Sequence, residues 1–381
     1  MFTITLSVSF YKKHHRIYDS FILEYIWIDS RGNLRSKYRT AYPKFESCRD
    51  GAYNYIPVEN WNYDQASTHD NDNNDNETTL IPVAYYLNPF FESGRAFLIL
   101  CETYNADGSP TNTNFRHDAE KLFESSTSHY LDPCFRINQE YFIIQSSATT
   151  NFVPLNSYET QPTDYYCGVG TPTVTLRRLA EKHYQYCLNA QLKISAISAE
   201  TVPTQWQFQI GPSSKISASD ELWVARYILV KLSEEFGVCI CFKPKSLPNP
   251  SNSTDLRLHT SFSTQETRDP HHQNGLKCIY KYIDHLSKKH TEHIRIYGDI
   301  SNRVRSGSDF HTFSFAYGDR NSSIFIPKSV LKAGCGYLED RRPASDADPY
   351  RVTAAIFTTA CLSYQELHAG YSSSSINAIA E

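Results

Sequence analysis

No stretch of this sequence holds the roughly 18 consecutive apolar residues that a membrane-crossing helix needs. Basic charge is not in excess either. The formal balance is −4 over 381 residues, without the footprint of a nucleic-acid binder. Ten cysteines are scattered with no CxxC pair, so neither a disulfide framework nor a four-ligand zinc site is indicated, and free thiols in a reducing compartment are expected. Cys239 and Cys241 would share one strand face, but two thiolates do not complete a tetrahedral site. Met occurs once against 27 Tyr and 21 Phe, which places packing on aromatic rings. At the N-terminus Phe2, Ile4, Leu6, Val8 and Phe10 alternate with Ser and Thr. That period of two reads as a strand and not as a secretion signal. The expected compartment is the cytoplasm, with neither membrane nor nucleic acid as partner.

The chain is long enough for two domains. Residues 23–108 are strand-rich. Glu24-Tyr25-Ile26-Trp27-Ile28-Asp29 is β-prone, Arg31-Gly32-Asn33 turns, and Leu34-Arg35-Ser36-Lys37 follows. Ala96-Phe97-Leu98-Ile99-Leu100-Cys101 is a continuous apolar run, as in a strand buried on both faces. Residues 69–79, dominated by Asp and Asn, read as a solvated loop without the spaced ligands of a calcium loop. Beyond residue 108 the pattern mixes helix and strand. Ser219-Asp220-Glu221-Leu222 opens a helix with a serine cap, and Gly237 closes it. Leu276, Ile279, Ile283 and Leu286 form a helical stripe ending in Lys288, Lys289 and His290, read as a solvated basic terminus. The pairs His14-His15 and His271-His272 lie in polar surroundings and read as exposed. Residues 1–22 form a divergent leading segment, 109–365 a second domain, and 366–381, with four consecutive serines, a loose tail.

One stretch carries most information about chemistry. Arg136-Ile137-Asn138-Gln139-Glu140-Tyr141 puts Asn138 and Glu140 on one strand face. It resembles the Gly-Ile-Glu-Gln-Glu-Tyr strand of eukaryotic-type glutamine synthetases, and further motifs follow in the family's order. Asn62-Tyr63-Asp64-Gln65-Ala66-Ser67-Thr68 is similar to its Asn-Phe-Asp-Gly-Ser-Ser-Thr latch. Tyr166-Cys167-Gly168-Val169-Gly170 and the segment from Ala199 through Glu200 to Trp206 also match. Glu339-Asp340-Arg341-Arg342-Pro343-Ala344-Ser345 is similar to fungal members in particular. The resemblance implies an α+β fold: a β-grasp-like domain at 23–108, then at 109–365 a catalytic-type α/β domain with a curved antiparallel sheet. It also implies a ring of subunits in which the latch of one chain completes its neighbour's site.

The family joins glutamate and ammonia with ATP, through a γ-glutamyl phosphate, over two divalent metals (Mg²⁺ or Mn²⁺). By resemblance one metal would lie between Glu140, Glu200 and Gln207, the other between Asn138, His259 and Glu339. Asn138 and Gln207 stand where the family has glutamates, so each site is one carboxylate short. Amide oxygens can ligate magnesium but do not cancel its charge. In place of the family's substrate-side Asn-Gly-Ala-Gly-Cys-His stands Thr254-Asp255-Leu256-Arg257-Leu258-His259, whose Leu256 and Leu258 are expected to make the pocket more apolar. The substrate loop keeps Arg303 and offers Asp309, or in another register Ser306, where the family has a glutamate. Arg320 matches a phosphate-binding arginine, and a second such arginine is replaced by Phe325. Asp64 and Ser67 match the latch, Arg341 the last motif, and Ser263 an ATP-side serine.

Three readings follow. The chain is a glutamine synthetase-like protein with little or no activity, a slow glutamine synthetase using amides as neutral ligands, or a γ-glutamyl ligase for another amine. Losses at both metals, the substrate glycines and one arginine favour the first. The expected partners are copies of itself in a ring, or a ring shared with a true glutamine synthetase, with ATP and glutamate as ligands.

Overall fold

In this computed structural model the residues described are 4–7, 20–48, 51–64, 77–145, 165–170, 174–201, 204–244, 256–271, 274–298 and 312–362. The chain divides into two compact units, one of residues 1–117 with 186–192, the other of 118–185 with 193–381.

The first unit is built from β1 (Ile4–Ser7), β2 (Phe21–Ile28), β3 (Leu34–Ala41), β4 (Lys44–Cys48), β5 (Gly51–Val58), β6 (Trp61–Asp64), β7 (Glu77–Leu87) and β8 (Ala96–Tyr104). Five of them make a sheet in the order β3-β2-β8-β7-β6, in which β2 and β8 run parallel and the other neighbours antiparallel. A parallel central pair is the β-grasp-like arrangement anticipated above. Alternation fixes the core: Phe21, Leu23, Tyr25 and Trp27 point to one face and pack with Phe97, Ile99 and Cys101. β8 is buried on both faces, as its unbroken apolar run requires. The alternating N-terminus supplies a strand over Ile4–Ser7. The acidic loop is shorter than expected, since Glu77, Thr78 and Thr79 already pair in β7 with β6 or β8; residues 69–76 lie outside the described residues.

The second unit contains α1 (Phe115–Phe123, shared with the first), α2 (Ser126–Leu131), β9 (Cys134–Gln145), α3 (Val174–Asn189, also shared with the first), β10 (Ile194–Ala199), β11 (Gln205–Ser214), α4 (Ser217–Glu235), β12 (Val238–Cys241), β13 (Leu258–Ser263), α5 (Gln265–Arg268), α6 (Gly275–Lys288), α7 (His290–Ile296), β14 (Phe315–Tyr317), β15 (Ile324–Ile326), α8 (Lys328–Ala333), β16 (Leu338–Asp340) and α9 (Pro349–Cys361). Its sheet runs β10-β11-β9-β13-β16-β15-β14, with β12 also on β9, and is antiparallel apart from the β14/β15 pair. The α+β class read from the sequence is the class observed.

On the helix side of this sheet, Phe135, Ile137, Gln139 and Tyr141 of β9 are buried, and α4 packs against β9, β11, β12 and α9. Gln139 is held by Arg226, whose Nε donates to Gln139 Oε1 across 2.8 Å. α4 starts one residue after Ile216, which offers no side-chain cap. Ser219 is therefore not the expected cap. Its hydroxyl is buried inside the helix and donates to the carbonyl of Pro349 at the start of α9, so tertiary packing overrode the local signal. α4 ends as expected, at Phe236 before Gly237. In α6 the residues Ile279, Tyr282, Ile283 and Leu286 are buried, while Lys288 and Lys289 sit in exposed ion pairs with Asp284 and Glu292; His290, expected to be solvated, is instead buried beside Arg342 (3.2 Å). The cysteines described are free. Among the described residues no helix is long and apolar enough to cross a membrane.

Candidate active site

The face of the second sheet opposite α4 carries a cavity of about 440 Å³. Strand register assembles it. In the first row across the sheet, Ser198 of β10 pairs with Gln207 of β11, which pairs with Glu140 of β9. In the second, Gln209 pairs with Asn138 and Asn138 with His259 of β13. In the third, Arg136 pairs with Ser261, Ser261 with Glu339 of β16, and Glu339 with Phe325 of β15. Each row contributes alternate residues, because side chains of a strand change face at every step. β11 keeps this register by a bulge between Ile210 and Ser213. Gly211 occupies it at φ +93°, where a Cβ would approach the Phe135 carbonyl oxygen to 2.6 Å.

Asn138, Glu140, Glu200, Gln207, His259 and Glu339 all line this one cavity, with Arg320, Phe325 and Arg341. Glu200 follows β10, anchored by its backbone N–H donating to the Gln205 carbonyl (2.9 Å) and by Ser198 Oγ donating to its carboxylate (3.0 Å). Tyr166 comes from the turn at 165–170, which the Cys167 N–H ties to the Ala199 carbonyl (3.0 Å).

The electrostatics are uneven. Glu140 is buried and accepts from the backbone N–H of Arg257 (3.1 Å) and the Gln205 amide (3.3 Å). Burial, and then repulsion by Glu200, push its carboxyl up to about 7. Burial also raises Glu200. Two carboxylates whose charged forms burial disfavours suit a cation beside them. At the other end, His259 lies between Glu140 (3.7 Å) and Glu339 (3.8 Å), Glu339 is ion-paired with Arg341, and the Asn138 carbonyl oxygen accepts from Gln209 (2.6 Å). Among the described residues no three His, Cys, Asp or Glu side chains form a group that could hold a metal ion.

Not every anticipated residue joins the cavity. Leu256 is buried against Phe142 and Ile144, and Leu258 is fully buried. Neither lines the cavity, so the expectation that they make it more apolar is corrected: in β13, Leu258 must face away from the side that His259 faces. Phe325 does line it. Ser263 is on the same face of β13 as His259 and Ser261, but only Ser261 is in the cavity wall; the Ser263 hydroxyl accepts from Arg268 (3.2 Å). Asp64 is exposed at the end of β6 in the first unit. Ser67, Arg303, Ser306 and Asp309 lie outside the described residues. The residues missed from sequence, Arg136, Ser198, Gln209, Ser261, Pro327 and Tyr337, each stand two positions from one that was foreseen, so strand periodicity would have found them.

Residues 112–363 match the glutamine synthetase catalytic domain. The chain is 42% identical over 344 residues to the glutamine synthetase of Eremothecium gossypii, covering 89% of each. It is 42% identical to that of Saccharomyces cerevisiae over 89% of both chains, and 41% identical to that of Tuber borchii over 90% of this chain and 92% of the relative. The chain belongs to the glutamine synthetase family. Solved structures agree in fold. A Plasmodium falciparum glutamine synthetase gives a TM-score of 0.68 at 14% identity, over 92% of this chain and 72% of that one. A chain titled as a GmaS/ADP complex gives 0.64 at 15%, over 92% and 79%.

Proposed function

We propose that this chain is a glutamine synthetase-like protein whose capacity to make glutamine is low or absent. The observation that supports this reading is the donor set. Asn138 gives its oxygen to the Gln209 amide, and Glu339, the one carboxylate of that group, is paired with Arg341. Of the two metal positions implied by the family, the one bounded by Glu140, Glu200 and Gln207 suits a divalent cation, because it keeps two carboxylates beside one neutral amide. The Asn138–His259–Glu339 position does not suit one as arranged.

When bound, a divalent ion supplies positive charge against phosphate oxygens during phosphoryl transfer. The chain's own residues would do the rest. Arg320, facing the cavity with Glu200, would hold a phosphate, and His259 would orient groups between Glu140 and Glu339. Phe325 lines the wall where the family has an arginine, and a ring provides no charge for phosphate. Arginines that act at phosphoryl transfer are worth roughly 10³–10⁵ in rate. In this reading ATP and glutamate remain the ligand classes, the assembly is a ring of this chain or one shared with a true glutamine synthetase, and the compartment is the cytoplasm, which keeps free cysteines reduced.

Manganese titration of the purified protein, followed by calorimetry and by the spin-resonance signal of the free ion, tests the donor set. One Mn²⁺ per chain, or none, agrees with it; two tight ions per chain would overturn it.

A further inference from the structure

We propose that Arg136 makes this cavity a site where a phosphate-bearing anion is held directly by protein cations, without a divalent metal. This rests on the reading of an impaired metal centre and names what the site takes instead. Arg136 stands on β9 in the cavity-facing set with Asn138 and Glu140. Its Nε is buried with no hydrogen-bond partner, and its guanidinium lies over the Tyr337 ring, 5.6 Å from the centroid, which orients the planar fork without using its N–H donors.

Among the described residues no carboxylate is ion-paired with Arg136. Along β9 the next cavity-facing residue is the neutral Asn138. Across the sheet its partner on β13 is Ser261, a hydroxyl that also lines the cavity. The nearest acidic residue in that row, Glu339, is one strand further and ion-paired with Arg341. An isolated, pre-oriented guanidinium in a cavity is a donor set in search of an anion. Its fork matches the tetrahedral oxygens of phosphate, and the same positive charge repels a divalent cation at the Asn138 position. Arg320 lines the same cavity and supplies a second cation. A nucleotide and a free polyphosphate share this chemistry.

Calorimetric titrations of the full chain in EDTA decide the matter, with ATP, tripolyphosphate and glutamate as separate probes. The wild type is expected to bind ATP or tripolyphosphate in EDTA, and R136Q to bind about 10- to 100-fold more weakly, the worth of a charge-assisted hydrogen bond. R136K should fall between them, since it keeps charge and loses the fork. Tighter binding of ATP identifies a nucleotide site, and equal binding a polyphosphate site. The proposal is overturned if both phosphate probes bind only with added Mg²⁺, if R136Q binds them as tightly as wild type, or if only glutamate binding depends on Arg136. Should R136Q fail to fold by circular dichroism, the wild-type EDTA titration and R136K still decide. Brisk glutamine formation would refute the impaired-enzyme reading alone, and a slow enzyme without EDTA-stable binding would refute this proposal alone.

Discussion

Gln209 donates its side-chain amide to the carbonyl oxygen of Asn138 across 2.6 Å, from the adjoining strand. One neutral amide thus holds another in the cavity wall, and Ser195 holds the Gln209 oxygen in turn (2.8 Å). The pair is stable by itself, and a cation arriving there must break it and bring its own charge compensation. A glutamate at position 138 would place an anion in the same spot and invite the metal. The difference between the two side chains is thus one of charge more than of shape.

Restoring that charge should separate binding from turnover. The double variant N138E/Q207E is expected to raise Mn²⁺ affinity at least 10-fold, the lower end of what ligand-supporting groups are worth. Glutamine formation should stay slow, because Phe325 and the substrate-side segment are unchanged. Calorimetry alongside a glutamine assay checks both halves, and unchanged Mn²⁺ affinity would count against the charge argument.

Beneath the site, Asp340 and Arg342 form a fully buried ion pair, with Nη2–Oδ2 at 2.6 Å and Nε–Oδ1 at 2.9 Å. Tyr297 donates a further hydrogen bond to Asp340 (2.9 Å). D340N leaves Arg342 charged and uncompensated, at an expected cost of about 3–5 kcal/mol, whereas replacing both residues with apolar ones of similar volume should cost less. Urea denaturation of the two variants reads the contrast directly.

Buried His183 gives a pH signature. Its Nε2–H donates to the Ala225 carbonyl (3.0 Å), its ring meets Phe208 edge-on, and burial depresses its pKa to about 4. Below about pH 6.5 the unfolded chain takes up a proton that the folded chain refuses, so stability is lost as pH falls towards 4. Each pH unit in that window costs up to about 1.4 kcal/mol. Going from about pH 7 to about pH 5, wild type should lose about 2 kcal/mol relative to H183L, other titrations cancelling in the comparison. Parallel denaturation curves would show His183 to be protonated in the native state.

Assembly is testable by light scattering coupled to size exclusion. Asp64, exposed at the end of β6, belongs with Asn62 and Tyr63 to the described part of the motif that resembles the latch, and a ring of several 43.7 kDa chains is expected. D64K should weaken that ring if the latch docks on a neighbour. A lone monomer at all concentrations would rule the ring out.

Much of the site was legible because a strand's period is short and rigid. Asn138 and Glu140 face one way for the same reason that Phe135 and Ile137 face the other. The same rule, applied past the recognised motifs, would have added Arg136, Ser198, Gln209, Ser261 and Tyr337, and would have turned Leu258 away from the cavity. Ser219 was misread for another reason. Its sequence neighbourhood looks like a helix start, but α9 offers a buried carbonyl that only the folded chain brings near. Tyr166 has no such rule behind it, since a turn and not a strand brings it to the cavity. Local patterns report what a segment prefers, and long-range partners decide where that preference yields.

Glutamine formation from saturating ATP, glutamate and ammonium, measured with Mg²⁺ and again with Mn²⁺, tests the central claim most directly. With Asn138, Gln207 and Phe325 lining the cavity, the proposed function predicts turnover at least about 10³-fold below a complete relative assayed in parallel. Glutamine produced at the relative's rate with Mg²⁺ alone would contradict it.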